Sequence, residues 1–341
     1  MTNEQEQINA RTTATRFLPA LGLFLLAPLV GEFLLGNLSI TSLSFLLLLA
    51  PLYGGGALLI RESGRRRRLG WPGMIVLCYA YGLIEEAFVT QSLFNPNYVG
   101  LRLLDYGYIP SLGISAWWTV YVLSIHAIWS TAVPIALVES FTPTTRRTPW
   151  LGYVGLAVTA VLFVIACALL FFFQLQDSFM ATTAQFLVSA VIVVILIGLA
   201  IGLRRLQRNV QPGTQPVPNP WVAGVVAFGL GSAFMLLALT NTIPAWLNVV
   251  GLLGLLLVGA FLFWRWSHRT VWSPRHSLGI AGGLLMTYAW YGFIQPPSTG
   301  GASPQIDLIG NAVFALGALV LLVIAVRRVA HETLYSPPAS A

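Results

Sequence analysis

Residues 150–205, WLGYVGLAVTAVLFVIACALLFFFQLQDSFMATTAQFLVSAVIVVILIGLAIGLRR, decide the fold. Two apolar runs, 150–173 and 181–203, flank a short polar segment around Asp177, and neither run carries a charged side chain. Coiled as a helix, each run is long enough to cross the ~30 Å hydrocarbon core of a bilayer. A helix with no polar face offers nothing to water, so its surroundings are lipid. Arg146–Arg147 stand before the first run and Arg204–Arg205 after the second, which places both basic pairs at one surface.

The same pattern extends in both directions. Apolar stretches recur at about 17–36, 40–60, 71–93, 112–138, 150–173, 181–203, 221–240, 243–264, 277–294 and 308–326. The whole 341-residue chain is 57% hydrophobic and only 9% charged, against roughly 25% in soluble domains, too few charges for a solvated surface. Residues 1–16 are polar, with no apolar core of a cleaved signal, and are expected to be an N-terminal tail. The basic residues fix the direction. Arg11 and Arg16 precede the first span; Arg61 and Arg65 to Arg68 follow the second; Arg146 and Arg147 the fourth; Arg204, Arg205 and Arg208 the sixth; Arg265, Arg269 and Arg275 the eighth; Arg327 and Arg328 the tenth. Only Arg102 lies at an odd-numbered junction. Basic loops face the cytoplasm. The expectation is an all-α integral membrane protein, a polytopic bundle of about ten transmembrane helices with both termini cytoplasmic, in the cell membrane. Its regions are a tail (1–16), six helices (17–206), a Pro-rich linker (207–220, with Pro212, Gly213, Pro216, Pro218 and Pro220), four helices (221–328) and a tail (329–341).

Composition also excludes functions. The 18 basic residues are all Arg, so no lysine amine can form a Schiff base with retinal or pyridoxal phosphate. The Arg residues sit at alternating junctions, not on one soluble face; they read as topological anchors with anionic lipid as partner, and nucleic acid is not expected. Cys78 and Cys167 lie in apolar segments without metal spacing and read as packing residues.

Ionisable residues at membrane depth mark functional sites by default. Four stand out: Glu32, Glu85, Glu86 and His126. Counted by helical rise from the basic side, Glu32, Glu85 and His126 all lie about 21–22 Å up. Three helices therefore put carboxylates and an imidazole in one layer. On an α-helix Glu85 and Glu86 diverge by about 100°, so both can face one centre only if the helix is distorted. Glu86 shares a face with Gly82 and Thr90, and Glu85 with Tyr81 and Val89. Pro134 removes the donor for the Ser130 carbonyl and predicts a kink near His126. Asp105, Asp177 and Asp307 suggest an acidic mouth over this layer, and the aromatic loop 94–111 an interfacial segment or lid. Gly279 and Gly283 form a small-xxx-small packing face.

A Glu–Glu pair on one membrane helix (Glu85, Glu86) with a His on the next (His126) resembles the CPBP superfamily of intramembrane proteases, which includes CAAX-processing enzymes. The resemblance covers about residues 71–140 and implies a glutamate that activates water, with His126 assisting. The chain departs from the family's pattern with Thr90 where that pattern has Arg and Val122 where it has Phe; in place of a His-xxx-Asn motif it offers Asp307-xxx-Asn311. The chain also resembles uncharacterised bacterial multi-pass membrane proteins.

Three functions follow. The first is a membrane hydrolase with Glu86 as general base, His126 and Glu85 beside it, and a divalent metal held by Glu32, Glu86 and His126. The second is a cation- or proton-coupled transporter using the same carboxylates. The third is a structural subunit in which the polar layer only ties helices together. Substrate, oligomeric state and pathway are not legible in the sequence.

Overall fold

A computed structural model describes residues 17–177, 179–208 and 213–335. The expected 1–16 tail with Arg11 and Arg16, Pro212 of the linker and residues 336–341 lie outside the described residues, as do the side chains of Asp177 and Arg208. Ten long helices follow one another: α1 (Phe17–Leu34), α2 (Ile40–Arg67), α3 (Gly70–Val89), α4 (Ala116–Ser140), α5 (Tyr153–Gln174), α6 (Thr183–Arg208), α7 (Pro220–Leu239), α8 (Ala245–Ser267), α9 (Pro274–Tyr291) and α10 (Pro304–Tyr335). A hairpin, β1 (Tyr108–Ile109) and β2 (Ile114–Ser115), is the one sheet among the described residues.

The connections gather at two ends. At one end Arg61 bonds the carbonyls of Thr145 and Arg146, Gly213 pairs with His268 and Thr270, and Arg275 reaches the Ala330 carbonyl. At the other end Asn37 bonds Ser298, Gln91 bonds Ala181, and Tyr106 bonds the Ile243 carbonyl. Consecutive helices therefore alternate in direction, as the basic pattern requires.

Nine of the described helices are long and apolar enough to cross a membrane; α9 is not among them, although it runs the same course from Arg275 to Gly292. This agrees with the expected bundle of about ten, and α9 differs from the other nine in its polar first turn, Pro274 to Ser277, and in its position. α9 lies inside the bundle against α7, α10 and α4, and a helix shielded by protein need not be lipid-like. One difference from expectation is length: the last helix runs to Tyr335, so residues 329–335, expected in the tail, continue α10.

Burial sorts the helices. In α4, 72% of the apolar window is buried, whereas α5 and α6 each bury 11% and face lipid. One core joins residues of both halves, among them Val30, Leu83, Trp129, Phe234, Tyr288 and Ala325. Trp129 of α4 stacks on Tyr288 with ring centroids 5.6 Å apart, and its indole nitrogen donates to the Leu284 carbonyl at 2.9 Å. α7 and α9 meet backbone to backbone. A Cβ on Gly283 would strike the Gly224 carbonyl, and one on Gly279 the Pro220 carbonyl. The small-xxx-small face thus lies in this seam, where two helices approach closely only because no side chain intervenes.

A buried ionic cluster closes the basic end. Arg61 is fully buried, pairs with Glu62 at 2.6 Å and Glu139 at 3.1 Å, and stacks 3.3 Å over the Trp150 ring. Arg65 also pairs with Glu139, while Glu62 accepts the backbone N–H groups of Trp150 and Leu151. The reading of every Arg as a lipid-facing anchor is corrected here: Arg61 ties α2 to α4 and to the loop 141–152. The sequence carried no sign of it because Glu62 and Glu139 lie 77 residues apart.

Gly283→Val is expected to cost about 1–3 kcal/mol by forcing α7 from α9, seen as a lower midpoint of thermal unfolding in detergent. Arg61→Ala removes the cation that Glu62 and Glu139 share, leaving Glu139 to Arg65 and Glu62 to two backbone N–H groups, and is expected to cost about 1.5–3 kcal/mol by the same measurement; an unchanged midpoint would show the cluster to be incidental.

Candidate functional site

The four sequence-predicted residues lie on α1, α3 and α4. Each sits in a segment whose backbone departs from α-helical bonding. Glu32 falls in a π-turn over Leu29–Leu34, Glu85 and Glu86 in one over Glu85–Val89, and His126 in one over Ile125–Ala132. A fourth, Ala50–Gly54 of α2, carries Tyr53. The bonds run five residues back: Asn37 N–H to Glu32 O and Thr90 N–H to Glu85 O, both at 2.9 Å, and Val133 N–H to Ile128 O. A π-turn widens the helix and re-aims side chains. It supplies the distortion that lets neighbouring Glu85 and Glu86 face one centre.

That centre is His126. Its Nε2 lies 2.7 Å from Glu86 Oε1 and its Nδ1 3.3 Å from Glu85 Oε2. All three residues are buried, Glu85 at 2%, Glu86 at 5% and His126 at 6% exposure. Close helix approach makes room for the ring: a Cβ on Gly82 would come within 3.1 Å of the His126 Cβ. A neutral imidazole has one donor and one acceptor, so carboxyl groups at both nitrogens require two protons shared among the three groups.

The two carboxylates are held differently. Glu86 Oε2 accepts from Ser92 and, at 3.1 Å, from Thr90; Ser92 in turn accepts from the Trp118 indole at 3.0 Å. Glu86 is thus fixed from both sides. Glu85 Oε2 and His126 Nδ1 face each other without a hydrogen bond, and the buried Tyr81 hydroxyl also lacks one. Tyr81 is one helical turn before Glu85, and its ring lies edge-on to His126 with centroids 6.4 Å apart. Three buried polar atoms without a hydrogen bond are uncommon in one region, and they accumulate where a group is to be held.

Glu32 lies apart from this trio. Its carboxylate is held by the Tyr53 hydroxyl and, at 2.6 Å, by the Asn37 amide. Tyr53 connects it to the centre, its ring 5.7 Å from that of His126. Ligand atoms of Glu85, Glu86 and His126 all lie within 4.8 Å of one another, a set that could hold a divalent ion. The ion-holding set given by geometry is therefore Glu85, Glu86 and His126, with Glu32 outside it. Tyr53, Asn37 and Ser92 went unnoticed in the sequence. Tyr81 shares a face with Glu85 and was legible; Tyr53 and Trp118 are brought in by long-range packing, whereas Asn37 and Ser92 lie only five and six residues beyond the carboxylates they bind, where the chain leaves the regular helix.

At the outer end Asp105 pairs with Arg102 at 2.5 Å, and Asp307 accepts the Ala302 N–H at the start of α10. Arg102 offsets the charge of Asp105, whereas a backbone N–H leaves that of Asp307 in place. The aromatic loop is fastened by Tyr106 to the turn between α7 and α8 and by its ring to Trp117.

Ser92→Ala removes a donor to a buried carboxylate. It is expected to cost about 1.5–3 kcal/mol in detergent unfolding, and Ser92→Thr should restore most of the loss.

No curated protein and no solved structure matches the chain significantly. A family model does match, over residues 21–340, nearly the whole chain. The chain belongs to that family, described as an uncharacterized membrane protein family.

Proposed function

We propose that this protein is a membrane-embedded hydrolase in which Glu85 and His126 are the working pair and Glu86 the orienting carboxylate. One observation carries the reading: Glu86, anchored by Thr90 and Ser92, fixes the ring through Nε2, while Nδ1, Glu85 Oε2 and the Tyr81 hydroxyl are left without hydrogen bonds around one region. A base, a ring and a third group that orients the ring form the arrangement that activates a nucleophile. Glu85 takes a proton from a water whose oxygen attacks an acyl carbon. Tyr81 donates to the oxyanion. The imidazolium of His126 gives its Nδ1 proton to the leaving group and recovers one from Glu85. A divalent ion, if bound, would be held by Glu85, Glu86 and His126 and would acidify the water. The order of roles differs from the sequence expectation, in which Glu86 was the base.

The CPBP-like pattern over residues 71–140 supports the same chemistry. The basic side is taken as cytoplasmic with both termini there, in the plasma membrane, with anionic lipid at the exposed Arg residues. The six-plus-four division at the 207–220 linker is retained as an arrangement of sequence. The paired state of Asp105 weighs against a cation funnel and hence against the transporter reading.

The test uses the full chain in nanodiscs, with a panel of quenched transmembrane peptides and metal content counted by mass spectrometry. Wild type is expected to cleave a panel member. Glu85→Gln and His126→Ala should lose about 10²–10⁴-fold in rate while folded, and Glu86→Gln should lose less. No cleavage by wild type, together with Glu85-dependent proton movement in proteoliposomes, would overturn the hydrolase in favour of the transporter.

A further inference from the structure

Two cavities meet at the basic end, away from the Glu–His centre. One, of about 620 Å³, is lined by Arg65, Arg68, Arg146 and Arg147 against a single acid, Glu139. Glu139 is already engaged by Arg61 and Arg65, so the vestibule keeps an excess of positive charge. The other, of about 340 Å³, is an apolar cleft among α3, α4, α7, α8 and α9. Trp71, Ala136 and Ser277 line both, so the two adjoin. Along α4 the cleft runs from Ala136 to Ile128, and along α7 from Ala223 to Phe234. Helical rise makes that about 12–16 Å, close to the ~15 Å depth of one leaflet's hydrocarbon. Leu257 at its rim is exposed, which gives the cleft an edge on the lipid side.

We infer that vestibule and cleft together form a binding site for an anionic lipid whose phosphate headgroup carries no cation of its own, headgroup among the arginines and one chain in the cleft. Arginine forks match phosphate oxygens. An apolar channel of leaflet depth suits an acyl chain and would hold nothing for a free phosphate. The exposed Arg327 and Arg328 at the same end line neither cavity and provide a control. The site is independent of the hydrolase reading, since it shares no residue with Glu85, Glu86 or His126.

The test is native mass spectrometry of the delipidated full chain, offered phosphatidic acid, phosphatidylcholine or inorganic phosphate. One phosphatidic acid per chain should be retained, with phosphatidylcholine and phosphate bound at least about tenfold more weakly. The double variant Arg68→Gln/Arg147→Gln and the cleft-filling Leu284→Trp should each lower retention about tenfold with the unfolding midpoint kept, whereas Arg327→Gln/Arg328→Gln should not. Three results would overturn the site: equal retention of phosphatidylcholine, phosphate bound as tightly as the lipid, or an equal loss in the control variant, which would mean general attraction to a basic surface. Should either test variant misfold, lipid preference of the wild type with the unaffected control still decides the matter.

Discussion

The imidazole of His126, held between two carboxyl groups in a layer of hydrocarbon, constrains the whole N-terminal half of the molecule. Ionisable groups at that depth are tolerated only when paired within the protein. Pairing brings α3 and α4 together, and the Glu32–Tyr53 contact carries the same demand to α1 and α2. Four helices give up regular α-helical bonding at these residues. Regular α-helices would have turned Glu85 and Glu86 to different neighbours. The π-turns are therefore a consequence of gathering polar groups that a straight helix would scatter.

A second polar cluster sits at the basic end and differs in kind. Around Arg61 the charges are matched by carboxylates, carbonyl oxygens and an aromatic face. Such a network resists change, and its work is to lock the ends of α2 and α4 and the following loop. The His126 centre keeps three polar atoms without hydrogen bonds, which is the difference between a fastening and a candidate site. Helices α7 and α9 use neither device. They meet through glycines, where close packing, with one hydrogen bond from the Trp290 indole to Ser232 at 2.9 Å, holds two backbones together in a medium that gives no hydrophobic drive.

These three modes of attachment explain where the cavities lie. The glycine seam draws α9 toward α7, and the stack of Trp129 on Tyr288 fixes α4 against α9. Between them and α8 the side chains do not fill the space, leaving an apolar cleft that ends at an arginine-lined vestibule. The Glu–His centre is buried at the same time, in irregular π-turn backbone.

The sequence by itself determined the membrane setting and the alternation of helices. Hydropathy, charge placement and helical rise act along the chain, and each can be read one residue at a time. The same local reading located the glycine face and the Tyr81–Glu85 neighbourhood. Tertiary structure alone decided which groups meet. Glu85 and Glu86 converge because of a π-turn that no residue in EEAFV announces. Tyr53 reaches Glu32, and Arg61 reaches Glu139, across 21 and 78 residues of chain. A contact between distant residues depends on how helices rotate and slide against one another, and that is set by the sum of all their packing.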